Sequence, residues 1–380
     1  MTSLKIPNTL NFFESFIVNF IVWFLPLLFV DLGFSGLEIG ILVSVFTVVS
    51  LMTSFPIGVI NDRLSIREAI LAGFLLLVAF LLGIFIVKSF WFFLLFYALG
   101  GLGSNMVYVS VRGLTMKIAG TKEGGKRLGV FQFYSTLGSA AGSLLGGLLL
   151  YMLNFNLTIV AGAVLMLFMA LLSLSVPRVK IERFPLVEYG RSVMKKHVLI
   201  FILPLFLFGM HWGAELTSFS LFLKNNLGLD LFWSGIYMGL TIIPMSFTAY
   251  LAGRRIQGNG GSVKMIFFSG ILLSGLTHIL MVVPNAPLSF IFRMFHEIGD
   301  GMVMVSYYVI LSGMFRKKSI SGETGLAHTI TTLGAVAGAL AFGIMGPVYG
   351  YGMPFVVSGM LSLVCLAFLV AFWGRSARVG

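Results

Sequence analysis

The chain has 380 residues, of which 58% are hydrophobic and only 10% charged, with a mean hydropathy of +1.02 and a net charge of +12. A soluble core cannot hide that much apolar surface, so a soluble globular domain is excluded and a chain embedded in a bilayer is expected. The positive charge does not mark a nucleic-acid binder, because the basic residues are confined to short stretches between apolar runs.

A helical crossing takes about 20 mainly apolar residues. Such runs lie at 10–32, 37–60, 67–87, 89–114, 129–153 and 155–176, and again at 198–224, 231–253, 264–284, 287–314, 325–349 and 353–373. The first run is long, holds Glu14 and Asn19 and lacks a small-residue cleavage site, so it reads as a retained span and not a removable leader. Ser15, Asn19 and Trp23 recur every four residues along it and form one stripe, read as the wall of an internal cavity. Glu14 belongs either to that wall or to the headgroup region. Between the second and third runs stand Gly58, Asp62, Arg63 and Arg67. Asp62 is a helix-end acid among cations, placed to pair with Arg63, Arg67 or a basic residue near Arg112 and Lys117.

The fourth run adds Asn105 and Tyr108 as hydrogen-bonding groups for the cavity, with Arg112 read as snorkelling to the surface. The fifth contains Gly129, Gly138, Gly142, Gly146 and Gly147. Glycines 138, 142 and 146 are one turn apart, line one face and let a neighbouring backbone approach closely, a surface suited to a tight but sliding contact. Only Asn154 and Asn156 separate the fifth run from the sixth. The polar stretch 177–197 then divides the chain into a bundle over 1–176, a linker, and a bundle over 198–380. Its Arg, Lys and Glu residues, with Phe184, Leu186 and Val187, suit a short amphipathic helix on the membrane, serving either to touch anionic lipid or to mark topology.

In the second half His211 and Glu215 are four apart, followed on the same face by Ser218, Phe219 and Phe222. The pair reads as a proton relay or as a static link between helices. The tenth run carries Arg293, His296, Glu297 and Asp300. An ionised residue at a helix centre costs roughly 2.5–3.5 kcal/mol on insertion scales, so these groups must face a watery cavity or one another. Arg293 and Glu297, one turn apart, are expected to pair, which leaves Asp300 unpaired near mid-bilayer and placed to exchange a proton. The string His296-Glu297-Ile298-Gly299-Asp300 has only a superficial likeness to a zinc-protease helix, with an aspartate where the second histidine belongs, so neither a metal site nor an enzyme is expected. The lone Cys365 forms no internal disulfide. No Gly-Lys-Ser/Thr phosphate loop is present, so no cofactor is expected and the drive is an ion gradient, of protons or of sodium.

The chain also contains itself twice. Gly129, Gly138, Gly142 and Gly147 recur as Gly325, Gly334, Gly338 and Gly343, each displaced by 196 positions, and Gly103, Met106, Val107, Val109 and Ser110 recur as Gly299, Met302, Val303, Val305 and Ser306. An even number of spans per half makes the repeats parallel, one signature of secondary transporters. With the N-terminus inside, Lys117, Lys122, Lys126 and Arg127, the basic linker and Arg316 with Lys317 fall inside, whereas Lys88 and Lys224 fall outside. The positive-inside rule then puts both termini in the cytoplasm of a multi-pass cell-membrane protein.

The loop Gly58-Val-Ile-Asn-Asp62-Arg63-Leu-Ser65-Ile-Arg67-Glu68 resembles the signature loop of the major facilitator superfamily, with Ser65 at its later glycine and Glu68 at its second basic position. Gly253-Arg254-Arg255-Ile256-Gln257-Gly258 occupies the equivalent place in the second half, with Gln257 where the acid would fall. The glycines from Gly129 to Gly147 resemble the fifth-helix motif of that superfamily's antiporters, with Ser143 in place of the usual proline. The resemblance implies an all-α fold of two parallel six-helix bundles around a central cavity, alternating access, and contact of Asp62 with the N-terminus of the eleventh helix around Gly322, Glu323 and Thr324. The 38 phenylalanines and 20 methionines mostly face lipid or pack, and those left for the cavity suit amphipathic ligands more than a sugar. The expectation is therefore a monomeric, proton-coupled antiporter that exports a small amphipathic organic compound. The alternatives are a proton symporter importing a sugar or organic anion, which Arg293 could bind, and, in another class, an intramembrane enzyme or a transport-dead sensor.

Overall fold

The computed structural model describes residues 4–25, 28–29, 32–34, 36–63, 65–86, 88–176, 186–257, 262–317 and 319–373. All regular structure among them is helical. The first half comprises α1 (Lys5–Ile17, prolonged by a π turn at Val18–Val22), α2 (Gly36–Arg63), α3 (Ile66–Ile86), α4 (Phe90–Met152) and α5 (Phe155–Ser173). A linker helix α6 (Leu186–Val193) precedes α7 (Lys196–Ile202), α8 (Leu205–Asn225), α9 (Leu231–Gln257), α10 (Val263–Leu280), α11 (Ala286–Met314), α12 (Ile320–Tyr349) and α13 (Met353–Phe368). The linker residues 177–185 lie outside the described part.

Two boundaries differ from the pattern read in the sequence. The fourth and fifth spans belong to one continuous helix, α4, whose apolar limbs are Phe90–Lys117 and Gly125–Met152. Tyr108 and Phe131 would stand about 34 Å apart on a straight helix, yet their rings meet at 5.5 Å. The helix therefore folds back on itself between the limbs. The seventh span is broken instead, because Pro204 has no N–H to continue the ladder from α7 into α8. At the weakest predicted boundary, Asn154 caps α5 by accepting from Leu157 N at 2.9 Å.

Among the described residues, ten helical segments are long and apolar enough to cross a bilayer. The other two predicted spans are the π-extended α1 and the charged α11. Each half has its own core, around Phe74, Phe80, Phe93 and Phe131 in the first and Phe201, Phe208, Phe267 and Trp373 in the second. Large apolar side chains such as Trp91, Leu157 and Ile344 are exposed on the flanks, the arrangement a lipid solvent requires.

The repeat is visible in the packing. A Cβ on Gly73 would lie 2.8 Å from the Gly103 carbonyl, and a Cβ on Gly270 would lie 2.8 Å from that of Gly299. Gly138, Gly142 and Gly146 press against the carbonyl oxygens of Phe12, Phe16 and Phe20 on α1, and Gly334 and Gly338 press in the same way on Phe206 and Met210 of α8. The duplicated glycines thus staple equivalent helix pairs inside each half.

Candidate functional site: a charged cavity between the halves

The two halves enclose a cavity of about 280 Å³. Its first-half wall is neutral and polar, with Asn19, Trp23, Tyr108, Gln132, Ser135, Thr136, Ser139 and Ser143. The facing wall mixes charge with soft apolar surface, from Trp212, Glu215, Phe219, Met238, Ile242, Met245, Arg293, Glu297, Asp300 and Met304. Helical spacing explains both walls. Residues 132, 135/136, 139 and 143 fall on one face of the second limb of α4, and 293, 297, 300 and 304 on one face of α11.

Behind the charged wall lies a buried network. Arg293 Nη2 meets Glu297 Oε1 at 2.5 Å as expected, and Nη1 donates to Glu215 of α8. Glu215 Oε1 also lies 3.0 Å from His296 Nε2. Asp300 is not left unpaired: its Oδ2 is 3.1 Å from His211 Nε2 and 3.8 Å from His296 Nε2. The hydrogen-bond partner of His211 is therefore Asp300 and not Glu215, because the two residues one turn apart on α8 reach different groups on α11. His278 of α10, not singled out in the sequence, lies against His296 with ring centroids 4.4 Å apart and planes tilted by 42°.

The hydrogen bonds bear on where this network holds protons. His211 Nδ1 faces the Phe208 carbonyl at 2.5 Å, and His296 Nδ1 faces the Ser274 carbonyl at 3.0 Å. A carbonyl only accepts, so His211 Nδ1 carries hydrogen and a neutral His211 would point a bare Nε2 lone pair at Asp300, whereas His296 Nδ1 also has Ser274 Oγ at 3.2 Å and His278 Nδ1 at 3.3 Å beside it and can accept from either. The His211–Asp300 contact therefore needs one more proton, shared between ring and acid. Three carboxylates and one guanidinium leave an excess of two negative charges, one of which that proton offsets. By spacing alone His211, Glu215 and His296 could also hold a metal ion, with ligand atoms within 4.8 Å of one another. The Arg293 guanidinium on the same Glu215 oxygen places a fixed positive charge against one.

Other predicted cavity groups sit elsewhere. Glu14 is buried within the first half, where Ser15 and Ser104 donate to it and Ser15 in turn touches Ser135 at 2.8 Å. Asn105 does not line the cavity: its amide donates to Ser50 O at 2.9 Å and to Thr53 Oγ1 at 3.0 Å, tying α4 to α2. Asn19 and Trp23 do line it, and Asn19 is steadied by Ser139 at 3.0 Å. Arg112 does not snorkel. It is buried between the rings of Tyr108 and Tyr308, one from each half, and donates to Tyr308 Oη at 2.5 Å.

The loop motif closes one end of the cavity. Gly58 lets α2 approach the backbone of Ser321 and Gly322 on α12, where a Cβ would lie 2.8 Å from Gly322 Cα. There Asp62 accepts from Gly322 N at 2.8 Å, as expected of a carboxylate at a helix N-terminus. Its cation is Lys117, at 2.8 Å. Arg67 instead reaches the Leu174 carbonyl at 3.3 Å, and the Arg63 side chain lies outside the described part. Tyr189 of the linker helix, fully buried, adds a hydrogen bond to Asp62 at 3.3 Å. Losing one partner of a buried ion pair costs on the order of 3 kcal/mol. Asp62→Asn is thus expected to loosen this seam, and Tyr189→Phe to do so more weakly. Faster alkylation of a cysteine placed at Ser321 would register the opening; unchanged rates in both variants would deny these contacts a part in closure.

The glycine motif divides between two jobs. Gly138, Gly142 and Gly146 pack on α1 within their own half, where the neighbouring backbone comes as close as their spacing suggests. The seam between halves is made by the other face. A Cβ on Gly125 would lie 2.7 Å from the Gly253 carbonyl, one on Gly129 would lie 3.0 Å from that of Ala249, and one on Gly235 of α9 would lie 3.5 Å from Gly147 Cα.

Duplicated helical halves around a buried charged cavity, sealed at one end by contacts between them, define a secondary transporter. The sequence profile of the Major Facilitator Superfamily matches residues 9–260 and 259–379, and the chain belongs to that family of membrane transporters, not to an enzyme family. It is 23% identical over 359 residues to the quinolone resistance protein NorA of Staphylococcus aureus, covering 89% of each chain. Among solved structures, the human organic anion transporter MFSD10 (TETRAN) superposes with a TM-score of 0.80 at 14% identity, over 96% of this chain and 98% of that one. A mutant of the nucleoside transporter NupG gives 0.74 at 15% identity, over 97% and 100%. At such identities the likeness concerns the fold.

Proposed function

We propose that this transporter is a proton-coupled exporter of small amphipathic organic compounds, working by alternating access in the cell membrane with both termini cytoplasmic. The observation that carries the reading is the pair of histidine–carboxylate contacts, His211 with Asp300 and His296 with Glu215, set directly behind a cavity wall that Glu215 and Asp300 help to form. A ligand that draws Asp300 or Glu215 to itself releases a proton, and reprotonation releases the ligand, so the two compete for one set of oxygens. Trp212, Phe219 and four methionine or isoleucine side chains offer an adaptable apolar surface opposite the hydroxyl row, with Trp23 on the same wall as that row. The relative that confers quinolone resistance supports export as the direction. Import of an anion on Arg293 is disfavoured, because both its Nη atoms already hold carboxylates.

Everted membrane vesicles with an acidified lumen test the reading. A fluorescent amphipathic cation or a quinolone should accumulate inside as the lumen turns alkaline. Accumulation only when protons and compound move in the same direction would replace export by symport.

A further inference from the structure

A second concavity, of about 360 Å³, opens on the outer flank of the bundle between α7 and the end of α13. It lies alongside the break in the seventh span, at Leu203 and Pro204 between α7 and α8. Leu199, Ile200, Leu203, Phe368 and Phe372 line it, and the last three are about half exposed. Lys196 stands at its mouth, with Arg191 and Lys195 exposed beside it. This is the end of the molecule at which the linker helix meets Asp62. Lys264 over the Trp373 ring at 4.9 Å, one residue beyond Phe372, is the kind of cation–aromatic pair found at a bilayer boundary.

From Lys196 to Leu203 a helix rises about 10 Å, whereas half the hydrocarbon layer is about 15 Å thick. The slot therefore begins at headgroup depth and runs most of the way down one leaflet. An occupant that satisfies both parts is an amphiphile with an anion at one end and an alkyl chain behind it. A zwitterionic lipid would fill the slot without neutralising the lysines, and a soluble anion would leave the slot empty. We propose that this groove is a binding site for one anionic glycerophospholipid of the bilayer, with its phosphate on Lys196 and one acyl chain laid between Leu203 and Phe372. The basic end of the linker then acts as a lipid contact and not only as a topology signal. The site is separate from the transport cavity, and its occupancy does not depend on what the cavity carries.

Thermal unfolding of the purified full chain in detergent, titrated with dioleoyl phosphatidylglycerol and with dioleoyl phosphatidylcholine, tests it. Phosphatidylglycerol should raise the midpoint at lower concentration. Each basic charge near a membrane surface is worth about a fivefold change in affinity, so Lys196→Ala should weaken the phosphatidylglycerol response roughly fivefold and Lys196→Glu further still. Leu203→Trp, at a position already exposed and so tolerated by the fold, should blunt the response to both lipids by filling the slot. Equal responses to the two lipids in the unaltered protein, or a phosphatidylglycerol preference that survives Lys196→Glu, would overturn the proposal.

Discussion

Asp300→Asn is expected to cut the concentration ratio that a proton gradient can sustain by about tenfold per pH unit, because each coupled proton contributes one factor of ten. With two exchangeable protons the unaltered protein would reach roughly 100-fold at one pH unit and no membrane potential; with one it would reach roughly 10-fold. The substitution is chosen because it should leave the architecture alone. An asparagine amide can donate to His211 Nε2 where the shared proton now lies, so the 3.1 Å contact survives with the ring neutral. Glu215→Gln is a poorer probe, since Glu215 also anchors Arg293 and its loss leaves a buried guanidinium short of charge. Proteoliposomes with a clamped pH difference and zero potential give the ratio directly. An undiminished ratio in Asp300→Asn would remove the His211–Asp300 pair from the coupling scheme.

The second large effect concerns the staples. A methyl group at Gly142 would drive into the Phe16 carbonyl, and one at Gly338 into the Met210 carbonyl. Backbone on the far side has no rotamer to yield, so Gly142→Ala and Gly338→Ala should each destabilise by about 1–3 kcal/mol or more through overpacking. Leucine at either place should prevent folded protein from accumulating. Gly343 is an internal control. It shares the 196-residue repeat, yet a Cβ there meets only Thr217 Cγ2 at 3.8 Å. Gly343→Ala should then be neutral or stabilise by up to about 1 kcal/mol through helix propensity. Melting curves of the three alanine variants decide the matter, and similar midpoints for all three would mean that the glycines do not fix helix spacing.

These two cases also mark what could be read in the sequence. Span positions, the halves and the charged face of α11 were legible because apolar length and helical period are local properties. The Arg293–Glu297 pair was legible for the same reason, being one turn apart. The partner of Asp300 was not, since His211 lies on another helix and nothing local ranks it above Glu215 as the residue that reaches across. Lys117 stood among the cations open to Asp62, with nothing local to rank it above Arg63 or Arg67, whereas Tyr189 as a further donor was hidden by chain separation. His278 did have a signal, as an ionisable residue within an apolar span, but it stood alone there. The hydroxyl row from Gln132 to Ser143 shares its helix with the glycine stripe, whose stronger pattern masked it. Glycine spacing announced a close approach without saying to which helix, and the helix that the structure supplies is α1 of the same half.

Arg112 carries a consequence for how the halves part. Its charge rests between two aromatic faces contributed by opposite halves, and its Nη2 has no hydrogen-bond partner. While the halves are together the guanidinium is buried; parting them would take away the Tyr308 ring and leave Tyr108, one turn back on Arg112's own helix, in place. Losing the Tyr308 contact exposes a charge that is now covered, a cost that any parting of the halves at this point would carry. Changing the clamp at Tyr308, which does not line the cavity as Tyr108 does, would alter that cost without altering the wall that meets the cargo.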